Sequence, residues 1–309
     1  MARAVLNSMV KYSLLLGGFY SYLPRRIQQV LSTPLGTLLY GLAAPRRLVV
    51  ARNLSLCFPS LSEAQRLDVS RQFFRNVIRA FLDLFQLWRV EKDDLKQLVK
   101  LENLELFETA KRGFIEQGRP VIVFAPHFIG LDAGGARLQL EDQLVCMYSN
   151  QALPAIDAWI YKGRSRFNQP LLISRRDGIG PLLRALKRGV TAHFSPDMDL
   201  GRRGAEFVPF FGVPAATQPS IIRLAHLTNA TVLPMVTLLT PLGYRAKFYE
   251  PLSFPKEESL AQGLARIHAF IEARIEEAPD QYLWAHRRFK TRPEGLEPVY
   301  PPKRRRKTG

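Results

Sequence analysis

The sequence predicts an α/β protein with a mixed, mainly parallel sheet flanked by helices. Short apolar runs typical of buried strands alternate with helical patterns from residue 99 onward. Such alternation is typical of parallel sheets that are covered by helices. The chain has 309 residues, enough to bury a sizeable core. Its 47% hydrophobic and 23% charged residues are the composition of a globular protein.

Two short apolar segments precede this region, and arginines follow each of them. Residues 10–23 (VKYSLLLGGFYSYL) are followed by PRR, and residues 33–45 (TPLGTLLYGLAAP) by a second arginine pair. The first segment is shorter than the roughly 20 residues of a spanning helix, and no small-residue cleavage site follows it. The pattern is typical of helices that lie in a membrane interface, with a single span and a hairpin packed on the domain as alternatives. The predicted regions are a membrane-associated helical segment at 1–47, the main domain at 48–300 and a basic disordered tail at 301–309.

The remaining elements follow from hydrophobic spacing. Residues 62–91 carry apolar side chains at helical spacing, and Ser62 is a suitable residue for the start of a helix. Ligands of α/β sheets bind outside the carboxyl ends of the strands, so residues just beyond those ends are candidate site residues. The predicted strands are 99–107 (running into a helix), 121–126, 143–149, 170–174, 191–196, 231–238 and 244–250, and the helices among them are 134–140, 154–166, 178–188 and 218–228.

The chain is strongly basic, with 44 Lys and Arg against 27 Asp and Glu and a net charge of +17. Anionic partners are therefore expected: nucleic acid, anionic lipid or an acidic carrier protein. Cys57 and Cys146 lie far apart in the sequence and have no metal-ligand spacing, which favours a reducing compartment. We expect no structural metal and no cofactor.

The stretch APHFIGLDAGG (125–135) is the candidate catalytic motif. His127 follows the predicted strand 121–126, and Asp132 stands five residues later. On a continuous helix the two side chains would point about 140° apart. They therefore meet only if His127 lies in a loop and Asp132 in the first helical turn, from where it reaches back to the imidazole. The other ring nitrogen then acts as a general base.

No obvious enzyme nucleophile accompanies this pair, because GRSRF (163–167) lacks the second glycine of a G-x-S-x-G elbow. A His–Asp pair without such a nucleophile suits a base that deprotonates a substrate hydroxyl, which then attacks an acyl donor. The alternative is a purely structural histidine at a strand end. The other histidines are interpreted as structural: His193 and His226 as buried or interfacial, His268 on a helix and His286 in a basic cluster.

Charged clusters after other strand ends are candidate anion sites, because arginine forks suit phosphates. Solvated surface runs are the alternative. The candidate oxyanion or substrate-binding residues are Arg164, Arg166, Arg175, Arg176, Asp177, Asp197 and Asp199. The candidate phosphate-binding residues are Arg287, Arg288, Lys290 and Arg292.

Several blocks together resemble one known family, the bacterial lipid A late acyltransferases (the lauroyl and myristoyl transferases of lipopolysaccharide synthesis). The resemblance covers most of the chain, except for the first 45 residues or so and the tail after Tyr300. The blocks that carry it are ARNLSLCFP (51–59), APHFIGLDAGG (125–135), GRSRFNQPLL (163–172), SRRDGIGPLLRALKRG (174–189), SPDMDLGRRGAEFVPFFGVPAATQPSIIRLAHLTNA (195–230) and YLWAHRRFKTRPEG (282–295).

This resemblance implies a glycerolipid acyltransferase-like fold with the HXXXXD motif of that superfamily. The family's histidine and carboxylate fall on His127 and Asp132; many members have glutamate at the second position. It further implies transfer of a fatty acyl group from acyl carrier protein to a hydroxyl of a phosphorylated glycolipid, a Kdo2-lipid IVA-like lipid A precursor. The implied location is the cytoplasmic face of the inner membrane of Gram-negative bacteria, either peripheral or by a single N-terminal pass.

Two other functions remain open from the sequence. The first is an acyltransferase of the same superfamily that acts on a phosphatidylinositol mannoside, an ornithine lipid or a lysophospholipid. The second is a basic nucleic-acid-binding protein, suggested by the net charge and the PPKRRRK tail. No recognised reader motif and no interleaving of aromatic and basic residues on a sheet face accompanies that charge, so we expect no nucleic-acid partner.

Overall fold

The computed structural model describes residue 12 and residues 14–301 of the chain. The tail predicted at 301–309 therefore lies outside the described residues except for Pro301. Residues 10, 11 and 13 of the first apolar segment (10–23) also lie outside them. Residues 14–20 are helical. The helices that follow are α1 (Arg25–Leu42), α2 (Ala44–Cys57), α3 (Glu63–Leu87), α4 (Lys92–Leu98), α5 (Leu104–Gln117), α6 (Leu131–Leu138), α7 (Pro154–Arg164), α8 (Gly180–Lys187), α9 (Ser220–Thr228) and α10 (Leu260–Glu277). The strands are β1 (Val99–Glu102), β2 (Val121–Phe124), β3 (Leu144–Tyr148), β4 (Leu171–Ser174), β5 (Thr191–Phe194), β6 (Glu206–Phe210), β7 (Val213–Thr217), β8 (Thr231–Leu239) and β9 (Tyr244–Phe248).

Seven strands form one sheet in the order β1-β9-β8-β2-β5-β3-β4. Strands β8, β2, β5, β3 and β4 run parallel to one another, and β9 with β1 runs in the opposite direction. The predicted mixed, mainly parallel sheet flanked by helices is therefore confirmed. Strands β6 and β7 form a separate antiparallel hairpin, which the sequence analysis did not predict.

The central strand β2 is apolar on both faces because helices cover both sides of the sheet. Ile122 and Phe124 belong to one buried cluster, and Val121 and Val123 to the other. All four side chains are at most 1% exposed. This burial fixes the position of the loop that follows β2, which carries His127.

Helix α6 lies against β8 at two glycines. Gly130 and Gly134 both face Thr237, and a Cβ on Gly134 would overlap the Thr237 side chain. A Cβ on the neighbouring Gly135 meets nothing closer than the imidazole of His193, at 3.6 Å. The absence of a side chain at Gly134 is therefore what allows this helix, and Asp132 in its first turn, to approach the sheet.

Replacing Gly134 by alanine is expected to lower the free energy of unfolding by about 1–3 kcal/mol, because the new methyl group overpacks against Thr237. In the matched variant Gly135→Ala the new methyl group has space. This variant is expected to raise the free energy of unfolding by up to about 1 kcal/mol, the helix-propensity difference between glycine and alanine. Denaturant unfolding of both variants is the measurement. Equal effects of the two substitutions would contradict this account of the α6–β8 contact.

The α1 helix packs on α3 with its polar side inward. Gln28, Ser32 and Gly36 are buried in that contact. The large apolar side chains of α1 that remain exposed are Ile27, Val30, Leu31, Leu35, Leu38 and Leu42. None of the helices in the described part of the chain combines the length and the apolar character needed to cross a membrane. The domain boundary predicted at 47/48 falls inside α2, whose Val49, Val50 and Leu54 are part of the main core.

Candidate active site

His127 and Asp197 lie at equivalent positions after two neighbouring parallel strands. Strands β2 and β5 pair in a register that places Phe124 opposite Phe194. His127 comes three residues after Phe124, and Asp197 three residues after Phe194. Because both loops leave the sheet in the same direction, the two side chains meet at its carboxyl edge, where ligands of α/β sheets bind.

The Asp197 carboxylate holds His127 by two contacts. Its Oδ1 lies 2.6 Å from His127 Nδ1, and its Oδ2 accepts a hydrogen bond from the His127 backbone N–H at 2.8 Å. Tyr282 donates its hydroxyl to the same Oδ2 at 3.1 Å. A carboxylate on Nδ1 stabilises the tautomer with the proton on that nitrogen. Nε2 then carries the free lone pair, and no described residue hydrogen bonds it.

Charge and burial oppose each other at this pair. Burial by itself would lower the pKa of His127, but the charge of Asp197 and the hydrogen bond to it outweigh burial and raise that pKa. Burial would likewise raise the pKa of Asp197, yet the contacts with His127 lower it to about 2. Asp197 is therefore ionised at neutral pH and stabilises a protonated imidazole.

Asp132 binds Arg164 rather than the imidazole. Its Oδ1 accepts from Arg164 Nε at 2.7 Å and its Oδ2 from Arg164 Nη2 at 3.1 Å, a two-pronged pair. This arrangement differs from the expectation that Asp132 reaches back to His127, because the fork of Arg164 occupies both carboxylate oxygens. Burial opposes ionisation of Asp132, but the charge of Arg164 outweighs burial and lowers the pKa of the carboxyl group.

The expected placement of Asp132 on the first turn of a helix after the loop is correct, since Asp132 lies in the first turn of α6. Arg164 is the last residue of α7. Its Nε and Nη2 bind Asp132, and its Nη1 has no hydrogen-bond partner in the part of the chain that the structure describes. The charge of Arg164 opposes protonation of His127 and that of Asp132 favours it, both with smaller effects on the pKa of His127 than Asp197.

His193 on β5 forms the floor beside this pair. A Cβ built on Gly135 of α6 would lie 3.6 Å from its ring, and its Nε2 is buried without a hydrogen-bond partner among the described residues. Burial lowers the pKa of His193 to about 4, so this imidazole is neutral at physiological pH. The interpretation of His193 as a buried side chain is consistent with this environment.

The other predicted substrate-binding residues are dispersed. Arg166 lies over the ring of Phe167, with its guanidinium carbon 5.1 Å from the ring centroid. Its Nη2 lies 3.4 Å from Glu91 Oε1. Residues 175–177 form an exposed 3₁₀ turn after the edge strand β4, which is separated from β2 by β5 and β3. The predicted residues in that turn are Arg175, Arg176 and Asp177.

Asp199 organises a loop instead of facing His127. Its carboxylate accepts hydrogen bonds from the backbone N–H of Gly201 at 2.9 Å and from the backbone N–H of Thr291 at 2.7 Å. The Thr291 hydroxyl adds a third bond at 2.8 Å. These bonds join the loop after β5 to the segment near the C-terminus.

The four residues predicted to bind phosphate do not converge. Arg288 is 2% exposed, and its guanidinium donates to Ala216 O at 2.9 Å and Thr217 Oγ1 at 2.6 Å. The side chain is thus buried against protein acceptors, and its role as a phosphate ligand stays a prediction. Arg287 lies over the ring of Tyr300, Lys290 is 3.6 Å from an oxygen of Asp199, and Arg292 donates to Pro214 O at 3.0 Å.

Sequence reasoning missed two features of the site. The first is the partnership of Asp197 with His127, for which a signal exists: FAPH (124–127) and FSPD (194–197) place the two residues at the same distance from the end of a strand. The second is Tyr282, which begins a block rich in basic residues that drew attention away from its hydroxyl.

Comparisons with known proteins agree on one family. The family model described as bacterial lipid A biosynthesis acyltransferase matches residues 10–291. A lipid A biosynthesis palmitoleoyltransferase of Escherichia coli (strain K12) is 31% identical over 285 residues, 90% of each chain. A lipid A biosynthesis lauroyltransferase of the same strain is 31% identical over 287 residues, again 90% of each chain. A myristoyltransferase of that strain is 28% identical over 261 residues, 82% of this chain and 78% of its own.

Proposed function

This chain belongs to the bacterial lipid A biosynthesis acyltransferase family and is an acyltransferase, and we propose that it moves a fatty acyl group from acyl carrier protein to a hydroxyl of a phosphorylated lipid A precursor. One observation carries the proposal. Asp197 binds the Nδ1 side of His127 at 2.6 Å and leaves Nε2 free at the carboxyl edge of the sheet. That is the geometry of a general base for a hydroxyl.

In the proposed reaction, His127 Nε2 takes the proton of the acceptor hydroxyl as its oxygen attacks the thioester carbonyl carbon. The carbon–oxygen bond forms, and the carbonyl oxygen carries the negative charge of the tetrahedral intermediate. The carbon–sulfur bond then breaks, and the departing thiolate receives the proton from the imidazolium. Asp197 stabilises the imidazolium throughout, since its own pKa of about 2 keeps it ionised.

Arg164 is the proposed source of oxyanion stabilisation, with Asp132 as the residue that positions it. The pair fixes the guanidinium through Nε and Nη2 and leaves Nη1 without a hydrogen-bond partner among the described residues. A donor held in place before the reaction stabilises developing charge without reorganisation.

We expect Asp132→Asn and Arg164→Gln each to reduce kcat by roughly ten- to a hundredfold, the size of one lost hydrogen bond to a charged group. Because the two residues act as a unit, the double variant is expected to lose little more than either single variant. Single-turnover acyl transfer by the three variants is the measurement. Losses that simply multiply in the double variant would show that Asp132 acts independently of Arg164.

The proposed location is the cytoplasmic face of the inner membrane, with α1 in the interface. The outward side of this helix is apolar and the inward side polar, the reverse of a helix that packs on a soluble core. Leu42 and Val30 are 74% and 71% exposed to solvent. Burial of these side chains among acyl chains would therefore stabilise the protein at the membrane.

The proposal is tested by an acyl-transfer assay in detergent micelles. The acceptor is the tetra-acylated, sugar-bearing lipid A precursor, offered with acyl carrier protein thioesters of several chain lengths and, in parallel, with the matching coenzyme A thioesters. A product heavier by one acyl group with the carrier-bound donor is the expected result. Folded protein that acylates only another lipid, such as a lysophospholipid, would contradict the proposed acceptor.

A further inference from the structure

A polar cavity of about 220 Å³ lies between α1 and α3, and neither His127 nor Asp197 lines it. Its walls are Gln29, Ser32 and Thr33 of α1 and Gln72, Arg75 and Arg79 of α3. The cavity is smaller than the sites of drug-sized ligands, which begin near ~300 Å³. It is several times larger than the ~30 Å³ share of one water molecule.

The cavity is cationic. Arg75 makes no hydrogen bond or ion pair with any residue that the structure describes, although its stem packs against α1 at Gly36. Arg79 donates to Thr240 O at 2.5 Å, and its Nε is buried without a hydrogen-bond partner in the described chain. Arg79 is thus largely used by the protein, and the free guanidinium of Arg75 at the cavity favours an anion with several acceptor oxygens.

The two carboxylates near these side chains are already committed. Asp83 accepts two bonds from Arg25, at 2.5 and 2.7 Å, and lies 3.9 Å from the Nε of Arg79. Asp280 accepts from the side-chain amide of Asn76 at 2.8 Å. Burial, which outweighs the charge of Asp83, lowers the pKa of Arg79. The positive charge in the cavity is therefore incompletely neutralised.

The position of the cavity on α1 indicates where its ligand comes from. An interfacial helix buries its apolar face ~5–10 Å into the boundary between headgroups and acyl chains, and a helix with side chains is ~10–12 Å across. The apolar face of α1 includes Ile27, Leu31 and Leu38, whereas Gln29 and Thr33 lie on another side of the helix. That side, and the cavity beside it, then lies at the level of the lipid headgroups.

From these observations we propose that the cavity binds an exposed phosphate group of a lipid at the bilayer surface. Arg75 supplies the free guanidinium fork. The polar groups of α1 at the cavity are already used, since the hydroxyls of Ser32 and Thr33 donate to Gln29 O at 2.8 and 3.5 Å and the amide of Gln29 donates to Pro241 O. The inference rests on the proposed interfacial placement of α1. The phosphate belongs either to a bulk phospholipid or to the phosphorylated acceptor, two sources with the same chemistry.

The test is vesicle flotation without any acyl donor, using Arg75→Gln and the matched control Arg71→Gln. Arg71 is exposed on α3, one turn before Arg75, and does not line the cavity. Vesicles of phosphatidylcholine contain either phosphatidic acid or oleate, at matched surface potential. On phosphatidic acid we expect Arg75→Gln to weaken binding at least about tenfold, against at most about fivefold for the control, because a basic residue near an anionic surface contributes only a modest general attraction. On oleate vesicles the two variants are expected to lose binding to the same extent.

Equal losses in the two variants, or an equal loss of Arg75→Gln on oleate, would overturn the site. Failure of the wild type to bind any vesicle would instead overturn the interfacial placement of α1, and neither result bears on acyl transfer. Phosphatidylcholine vesicles that carry the phosphorylated acceptor distinguish the source: a defect of Arg75→Gln that is larger on them than on phosphatidic acid assigns the phosphate to the acceptor, and an equal defect assigns it to a bulk phospholipid. Stabilisation of the wild type by inorganic phosphate, with no difference on vesicles, would overturn the lipid part of the inference.

Arg75→Lys keeps the packing against Gly36 and is the second variant if Arg75→Gln unfolds at a lower temperature than the wild type. It retains the charge but loses the two-pronged fork. An intermediate loss on phosphatidic acid, larger than that of Arg71→Gln, is the expected result. Binding equal to wild type would show that a point charge is sufficient and would contradict recognition by the fork.

Discussion

Replacing His127 by glutamine is expected to reduce kcat by about 10²- to 10⁴-fold, with little change in the KM for either substrate. Glutamine fills a similar space but has no basic nitrogen at the position of Nε2, so the acceptor hydroxyl loses its proton acceptor in the transition state. The loss should be confined to kcat because the proton moves only as the new bond forms.

The measurement is steady-state and single-turnover acyl transfer on protein with a wild-type unfolding midpoint. His226→Gln is the matched control, since His226 is a half-buried histidine outside the site whose Nε2 lies 2.9 Å from Phe254 O. A glutamine amide can keep that contact, and the variant should retain wild-type kcat. Activity of His127→Gln equal to that of His226→Gln would exclude His127 as the base.

The strands were predictable wherever burial on both faces leaves an unbroken apolar run. VIVF (121–124) is such a run, and the strand it predicts is β2. The hairpin of β6 and β7 was missed because its strands contain prolines, which normally argue against a strand. Here Pro209 stands opposite Pro214 in an isolated two-stranded ribbon, where missing N–H groups cost little. Its two-residue turn, Phe211 and Gly212, has positive φ at both positions.

The site was predictable in part because its first residue follows a recognisable strand. His127 and Asp132 were located correctly on loop and helix. The two were predicted to bind each other, however, whereas His127 binds Asp197 and Asp132 binds Arg164. Which carboxylate meets the imidazole depends on the register between β2 and β5, a property of strands about 70 residues apart in the chain. The burial of Arg288 was not predictable for a related reason: its neighbours in sequence are basic, but its neighbours in space are β7 and α10.

Asp197→Asn is expected to reduce kcat by about 10²- to 10⁴-fold without unfolding the protein, the second large effect at this site. The amide keeps the size of the side chain, but its NH₂ group donates where the carboxylate accepted. A donor facing Nδ1 favours the tautomer with the proton on Nε2, which removes the base from the reacting side. The imidazolium also loses the negative charge that stabilises it.

The same substitution should shift the pH profile. A general base must be unprotonated, so the acid limb of kcat/KM follows the pKa of His127. Asp197 raises that pKa in the wild type, which places the limb above the ordinary histidine value of 6.5. Without the charge of Asp197, burial and the nearby Arg164 lower the pKa. The acid limb of Asp197→Asn is therefore expected at lower pH than that of the wild type, on a reduced plateau.

Asp199→Asn separates this effect from a general disturbance of the loop. Asp199 lies two residues further on and is as buried as Asp197, at 3% and 2% exposure, but it bonds Gly201 and Thr291 rather than His127. Its substitution is expected to lower the unfolding midpoint and leave the acid limb unchanged. A shift of the limb that is equal in the two variants would mean that loop order, and not the charge on Nδ1, sets the pKa of His127. A shift in Asp197→Asn alone would assign the orientation of the base to that carboxylate.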